Sequence, residues 1–179
     1  MLIIEIPKSE FFNENTSTFD RFEGMTIYME HSLVSLSKWE SKWKKPFLTS
    51  QKTSEENLDY FKCMTITKNV PDHAYLFMTE ESINKLGEYI IDPMTATTFS
   101  KQEDRKFNKE IITAELIYYW MIALQIPSEY RKWHLNRLLA LIRVCSIKNA
   151  PSKKRSVKDS IRHAAELNAM RRSQYNTTG

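Results

Sequence analysis

A chain of 179 residues, 41% hydrophobic and 12% aromatic, can bury a core and carries too many rings for a disordered polymer. Its net charge of +4 is uneven: from Ala150 onward, Lys153, Lys154, Arg155, Lys158, Arg162, Arg171 and Arg172 face only Asp159 and Glu166, a balance of +5, against −1 for the first 149 residues. A neutral body with a basic tail argues against a nucleic-acid-binding globule charged across its whole fold. The longest uncharged apolar stretch, Leu116 to Ile126, falls well short of the roughly 20 residues of a membrane span.

In chain order, Leu2, Ile4 and Ile6 alternate with Ile3, Glu5 and Pro7, the period-two pattern of a half-buried strand. MLIIEIPKSE has no basic start and is not read as a signal peptide. The polar stretch NENTSTFDRFEG reads as a turn region before a second strand at MTIYM, residues 25 to 29, which predicts a β-hairpin. A lone hairpin is marginal in water, so it must pack on helices or pair with another chain.

Helical spacing begins after His31: Leu33, Leu36, Trp39 and Trp43 share one face, Lys38, Lys42, Lys44 and Lys45 fall mostly on the other, and Pro46 ends the segment. Thr53 with Glu56 forms a capping box for a helix bearing Leu58, Phe61 and Met64. Thr79 opens another, with Ile83, Leu86 and Ile90 on one face until Asp92 and Pro93 stop it. PMTATTFSKQEDRKFN, residues 93 to 108, reads as a polar loop. EIITAELIYYWMIALQI is apolar on nearly every side, which predicts the buried centre of a bundle. After Pro127 comes a helix carrying Trp133, Leu135, Leu138, Leu139, Ile142 and Cys145 inward, expected to fold back on its predecessor as an antiparallel hairpin. APSKKRS is a linker. VKDSIRHAAELNAMRRSQ is a conditional helix with Val157, Ile161, Ala164, Leu167 and Met170 as a thin apolar stripe. The fold class is therefore mainly α: a compact helical domain over residues 1–149 with a small N-terminal β-hairpin, and a basic C-terminal helical tail over 150–179.

No reactive constellation is visible. Glycine occurs at 24, 87 and 179 only, so no phosphate-cradling loop can form. His31, His73, His134 and His163 are scattered, and Cys63 and Cys145 belong to no CxxC pair. Neither a metal site nor a cofactor is expected, and the two thiols read as reduced groups of a cytosolic protein. Glu115, a carboxylate in the most apolar helix, invites a catalytic reading, but a helix-rim position or an ion pair is the commoner explanation. In SLSKWESKWKKPFL, Trp39 and Trp43 lie one helical turn apart beside Leu36. They are expected in the core rather than as a stacking platform for bases, which would need aromatic and basic residues interleaved. Tyr118, Tyr119 and Trp120 read as core and interface aromatics.

MEHSLVSLSKWESKWKKPFL, KTSEENLDYFKCMT, MTATTFS, ITAELIYYWMIALQIP and KWHLNRLLALIRVC, in this order, resemble the tail assembly chaperones of long-tailed, siphovirus-type bacteriophages over nearly the whole chain. The resemblance implies a non-enzymatic protein of the host bacterial cytoplasm. It would bind the tape-measure protein, help recruit tail-tube subunits, and be absent from the mature virion. No catalytic residue is implied; the basic residues of the tail named above are the candidate partner-binding set. Met and aromatic side chains could repack around varied helices, and exposed apolar patches would favour self-association. Two other readings stay open. One is a structural connector, neck or tail component whose hairpin adds strands to neighbours. The other is a nucleic-acid-binding accessory protein using the tail, whose DNA affinity would fall with salt and vanish without residues 151–179.

Overall fold

The structure is a computed structural model that describes residues 1–13, 18–99, 111–150 and 157–175. It is mainly helical and divides into two compact units, Met1–Ser146 and Ile147–Gly179. Strands β1 (Leu2–Ile6), β2 (Ser9–Asn13), β3 (Thr18–Phe22) and β4 (Met25–Met29) precede helices α1 (Leu33–Trp43), α2 (Ser54–Met64) and α3 (Glu80–Ile91). Helices α4 (Ala114–Ala123), α5 (Leu135–Asn149) and α6 (Val157–Tyr175) follow, with short 3-10 turns at Asp72–Phe77 and Ser128–Lys132. Among the described residues no helix is long and apolar enough to cross a membrane.

The hairpin is longer than its sequence pattern predicts, because NENTSTFDRFEG contributes strand residues on both sides of the turn. β1 pairs with β4 from Leu2↔Met29 to Ile6↔Met25, and β2 with β3 from Ser9↔Phe22 to Asn13↔Thr18, so one antiparallel register runs through both ladders. The break between them is a corner at Pro7–Lys8 opposite Glu23–Gly24. Gly24 takes φ +73°, and a Cβ there would lie 2.8 Å from the Ile6 carbonyl oxygen, a position only glycine fills without strain. Through this corner the buried face changes. Leu2, Ile4, Ile6, Ile27 and Met29 are buried in the inner half, yet beyond the corner it is Phe22 that is buried, stacked on Phe77. Phe12 and Phe19, which an unbroken ladder would carry on the buried face, form an exposed edge-to-face pair instead. The outer edge of β4 is covered by residues 64–67, through Glu30 N–H to Met64 O and Ile66 N–H to Tyr28 O.

α1 starts at a Ser32–Ser35 capping box and ends through Lys44 in the left-handed region, two residues before Pro46. It lies against α2 and α4. Trp39 is fully buried and its indole N–H donates to Glu56 O at 2.8 Å, while Trp43 is half-buried and donates to Asp59 at 2.9 Å. Two of the lysines on that helix end do more than face water: Lys42 pairs with Asp59 and Lys45 with Glu56, clamping α1 to α2. Lys45 and the Thr53 amide hold the Glu56 carboxylate below its usual range, and the Thr53–Glu56 capping box is formed.

Three packing expectations are corrected. In α3 the buried residues are Leu86 and Tyr89 with Ile90 alongside, and Ile83 is exposed. α4 is an edge helix: Ala114, Ile117 and Met121 are buried, but Tyr119 and Ile122 are 63% and 77% exposed. Its partner is α1 rather than α5. α5 buries Leu135, Leu138 and Ile142, with Leu139 and Cys145 only partly covered. Trp133 lies before that helix and stacks on Tyr130 at 4.0 Å.

Candidate partner-binding groove

Between α4 and α5 lies an open groove of about 470 Å³, closed at one end by the segment that follows α3. Ile112 and Trp120 form one wall, Leu139, Ala140 and Ile142 the other, and Ile91, Pro93 and Phe99 the end. Two polar groups order these walls. Asn136 donates from Nδ2 to the carbonyls of Ile90 (3.0 Å) and Asp92 (2.8 Å), tying the last turn of α3 to the first of α5. The Arg143 guanidinium lies 4.0 Å over the Phe99 ring, a cation–π contact that fixes the loop wall. Among the described residues the lining holds no His, Cys, Asp, Glu, Lys or Tyr, and its largely apolar walls have a shape suited to an amphipathic helix or extended apolar segment.

Three titratable groups perturbed by burial, His31, Tyr60 and Tyr89, lie elsewhere, in a buried polar cluster at the junctions of β4 with α1 and of the second 3-10 turn with α5. His31 Nδ1 is 2.6 Å from the Tyr60 hydroxyl, the His31 and His134 rings are 5.1 Å apart, and His134 Nε2 donates to the Tyr89 carbonyl at 2.9 Å. His134 Nδ1 is buried with no partner among the described residues. Leu135 N–H donates to His31 O, so the two histidines are joined through the backbone as well. Burial, with His134 adding to it, pushes His31 down to about 3, and burial pushes Tyr60 up. The Tyr89 hydroxyl, whose own pKa burial and Glu30 raise, donates to Glu30 at 2.5 Å. His31 and His134 are 2% and 6% exposed, which denies a substrate access and makes this cluster a fastening. Among the described residues no group of three or more His, Cys, Asp or Glu could hold a metal ion.

Glu115 sits exposed in the first turn of α4, at the rim. Two carboxylates of the body are buried, Glu56 on α2 at 2% exposure and, on α1, Glu40 at 7%. Its two oxygens accept from the Phe47 and Ala114 backbone N–H groups, each at 2.7 Å. It was detectable in principle, since Glu40 stands four residues after Leu36 and seven after Leu33 on the apolar stripe. Cys63 and Cys145 are free and half-buried; burial and the nearby Asp59 push the Cys63 thiol up.

Of the basic tail set, Arg162, Arg171 and Arg172 are exposed on α6 and Lys158 lies in its first turn, whereas Lys153, Lys154 and Arg155 fall outside the described residues. So do residues 100–108 of the expected polar loop. Compared with protein-family models, curated proteins and solved structures, the chain matches none.

Proposed function

We propose that this protein is a tail assembly chaperone of a long-tailed bacteriophage, which holds an apolar stripe of the tape-measure protein in the groove between α4 and α5 and helps recruit tail-tube subunits around it. The observation that carries the reading is the groove, open and lined mostly by apolar side chains among the described residues, with the exposed apolar face of α4 beside it. The ordered resemblance of five segments to that family supports the assignment. A chaperone of this kind acts in the host cytoplasm, needs no cofactor, and leaves before the virion is complete. Its exposed Tyr119 and Ile122 would also promote self-association without a client.

Co-expression with the tape-measure protein tests the reading. The pair should co-purify, and Ala140→Trp, which fills the groove, should abolish co-purification while leaving the helical circular dichroism intact. Retention of the client by that variant removes the groove from the proposal. The second reading, a structural connector, neck or tail component, draws on the exposed Phe12–Phe19 pair and on the β2–β3 ladder, which is two-stranded among the described residues. Mass spectrometry of mature particles separates the two: absence favours the chaperone, stoichiometric presence the component.

A further inference from the structure

We infer that α6 is a docking helix for an acidic, amphipathic partner helix, which it would grip along a short coiled-coil seam. This inference is independent of the groove, because it rests on α6 alone. Every described side chain from Ile161 to Tyr175 is exposed, including Ile161 at 65%, Leu167 at 40% and Tyr175 at 70%. Ile161, Ala164, Asn168, Arg171 and Tyr175 recur at alternating spacings of three and four, the positions that line a two-stranded seam, and a polar Asn there sets register at some expense of stability. Leu167 borders the seam. Ala164 and Ala165 leave room for a close helix approach, whereas large apolar groups would hold the axes apart.

The charges sort onto different sides. Glu166 projects away from the seam and pairs outside it with Arg162 at 3.8 Å. Arg171 lies in the seam and Arg172 flanks it, and no acid among the described residues pairs with either. A partner that matches this surface brings glutamates or aspartates opposite Arg171 and Arg172 and an apolar stripe opposite Ile161 to Leu167. A second copy does not fit, since its seam holds no acid to meet Arg171: a parallel pair would set Arg171 against Arg171 and an antiparallel pair would set it against Ile161. A nucleic-acid phosphate surface offers nothing to Ile161 and Leu167. Lipid would be met by a face interrupted by Asn168 and two alanines, too little buried apolar area for an interfacial helix.

The test uses the full-length chain and a labelled acidic zipper peptide of about four heptads, with leucine in the seam, glutamate at the flanks, and no self-association at neutral pH because its glutamates repel. A lysine-flanked zipper, a duplex DNA and phosphatidylserine vesicles serve as alternative ligands. In fluorescence anisotropy the acidic peptide should bind and the lysine peptide should not. Ile161→Glu should weaken the acidic peptide by roughly tenfold or more, and the double variant Arg171→Glu/Arg172→Glu should invert the preference, gaining the lysine peptide as it loses the acidic one. That gain cannot come from misfolding. Tighter binding of the duplex or the vesicles than of the acidic peptide, or a double variant with unchanged preference, overturns the inference. Because the groove variant Ala140→Trp should leave peptide binding untouched, failure here and failure of the chaperone assignment are distinguishable.

Discussion

Replacing Glu40 by Gln keeps the shape of the side chain and removes one acceptor oxygen. In the native fold both oxygens are committed, one to the Phe47 N–H in the turn after α1 and the other to the Ala114 N–H in the first turn of α4, each at 2.7 Å and both buried. Gln retains one of these bonds and turns an N–H₂ group toward the other amide. One bond to a charged acceptor, worth about 1.5 to 3 kcal/mol, is lost, and a buried N–H is left unsatisfied at about 1 to 3 kcal/mol. Negative charge at the α4 N-terminus goes as well, at about 0.3 to 1 kcal/mol. Taking the low to middle part of those ranges, Glu40→Gln should cost about 3 to 4 kcal/mol. With urea slopes of about 1 to 3 kcal/mol per molar, the midpoint should fall by about 1 to 4 M at unchanged slope. Tryptophan fluorescence and far-ultraviolet circular dichroism during a urea titration measure it. Glu115→Gln, at the exposed rim, is the control and should stay within about 0.5 kcal/mol of the parent. If the two variants lose equal stability, or Glu40→Gln loses less than about 1 kcal/mol, the two-amide tie is not what holds α4 to α1.

His31 makes stability depend on pH. Its folded value of about 3 lies below the unfolded 6.5, so on acidification the unfolded chain takes up a proton that the fold refuses. The contribution is complete above pH 6.5 and declines between there and about 3, by about 1.4 kcal/mol per pH unit. Urea midpoints at several pH values should show this slope, and His31→Gln should flatten it; an unchanged slope refutes the assignment. Gly24→Ala puts a methyl group 2.8 Å from the Ile6 carbonyl at φ +73° and should lower stability by about 1 to 3 kcal/mol in a thermal melt, while a neutral result would mean that the corner relaxes. Trp39→Ala should cost about 3 to 5 kcal/mol and Trp43→Ala less, since only Trp39 is fully buried. A stable Trp39→Ala protein that had merely lost affinity for an oligonucleotide would restore the base-stacking alternative.

What could be read along the chain was what neighbouring residues settle between themselves. The alternation of Leu2, Ile4 and Ile6 appears as alternating burial, and the Thr53–Glu56 box and the Thr79 cap close within one turn of backbone. Features that depend on distant partners were not readable. β2 and β3 carry little alternation because so much of the arm is exposed, and the corner at Gly24 shows only once both strands are paired. α4 looked central because it is apolar all round, yet α1 covers one side of it and the groove takes Trp120 and Ile112. Ile83 follows the period of Leu86 but projects where no element covers it. The groove itself draws its walls from α3, α4, α5 and the segment after α3, so no single stretch announces it, and Asn136, Arg143 and Phe99 carried no signal at all.

Glu40 and the His31 junction also impose an order of events during synthesis. Ala114 emerges 74 residues after Glu40, and His134, which closes the bridge to Ser32, about a hundred residues after it. At translation speeds of about 5 to 20 residues per second, a carboxylate destined for the interior waits on the order of 4 to 15 s for its second amide. Throughout that interval the nascent hairpin and first two helices present an unfinished interior to the cell. Over those seconds the ribosome or a general folding factor would be what keeps that interior from other chains.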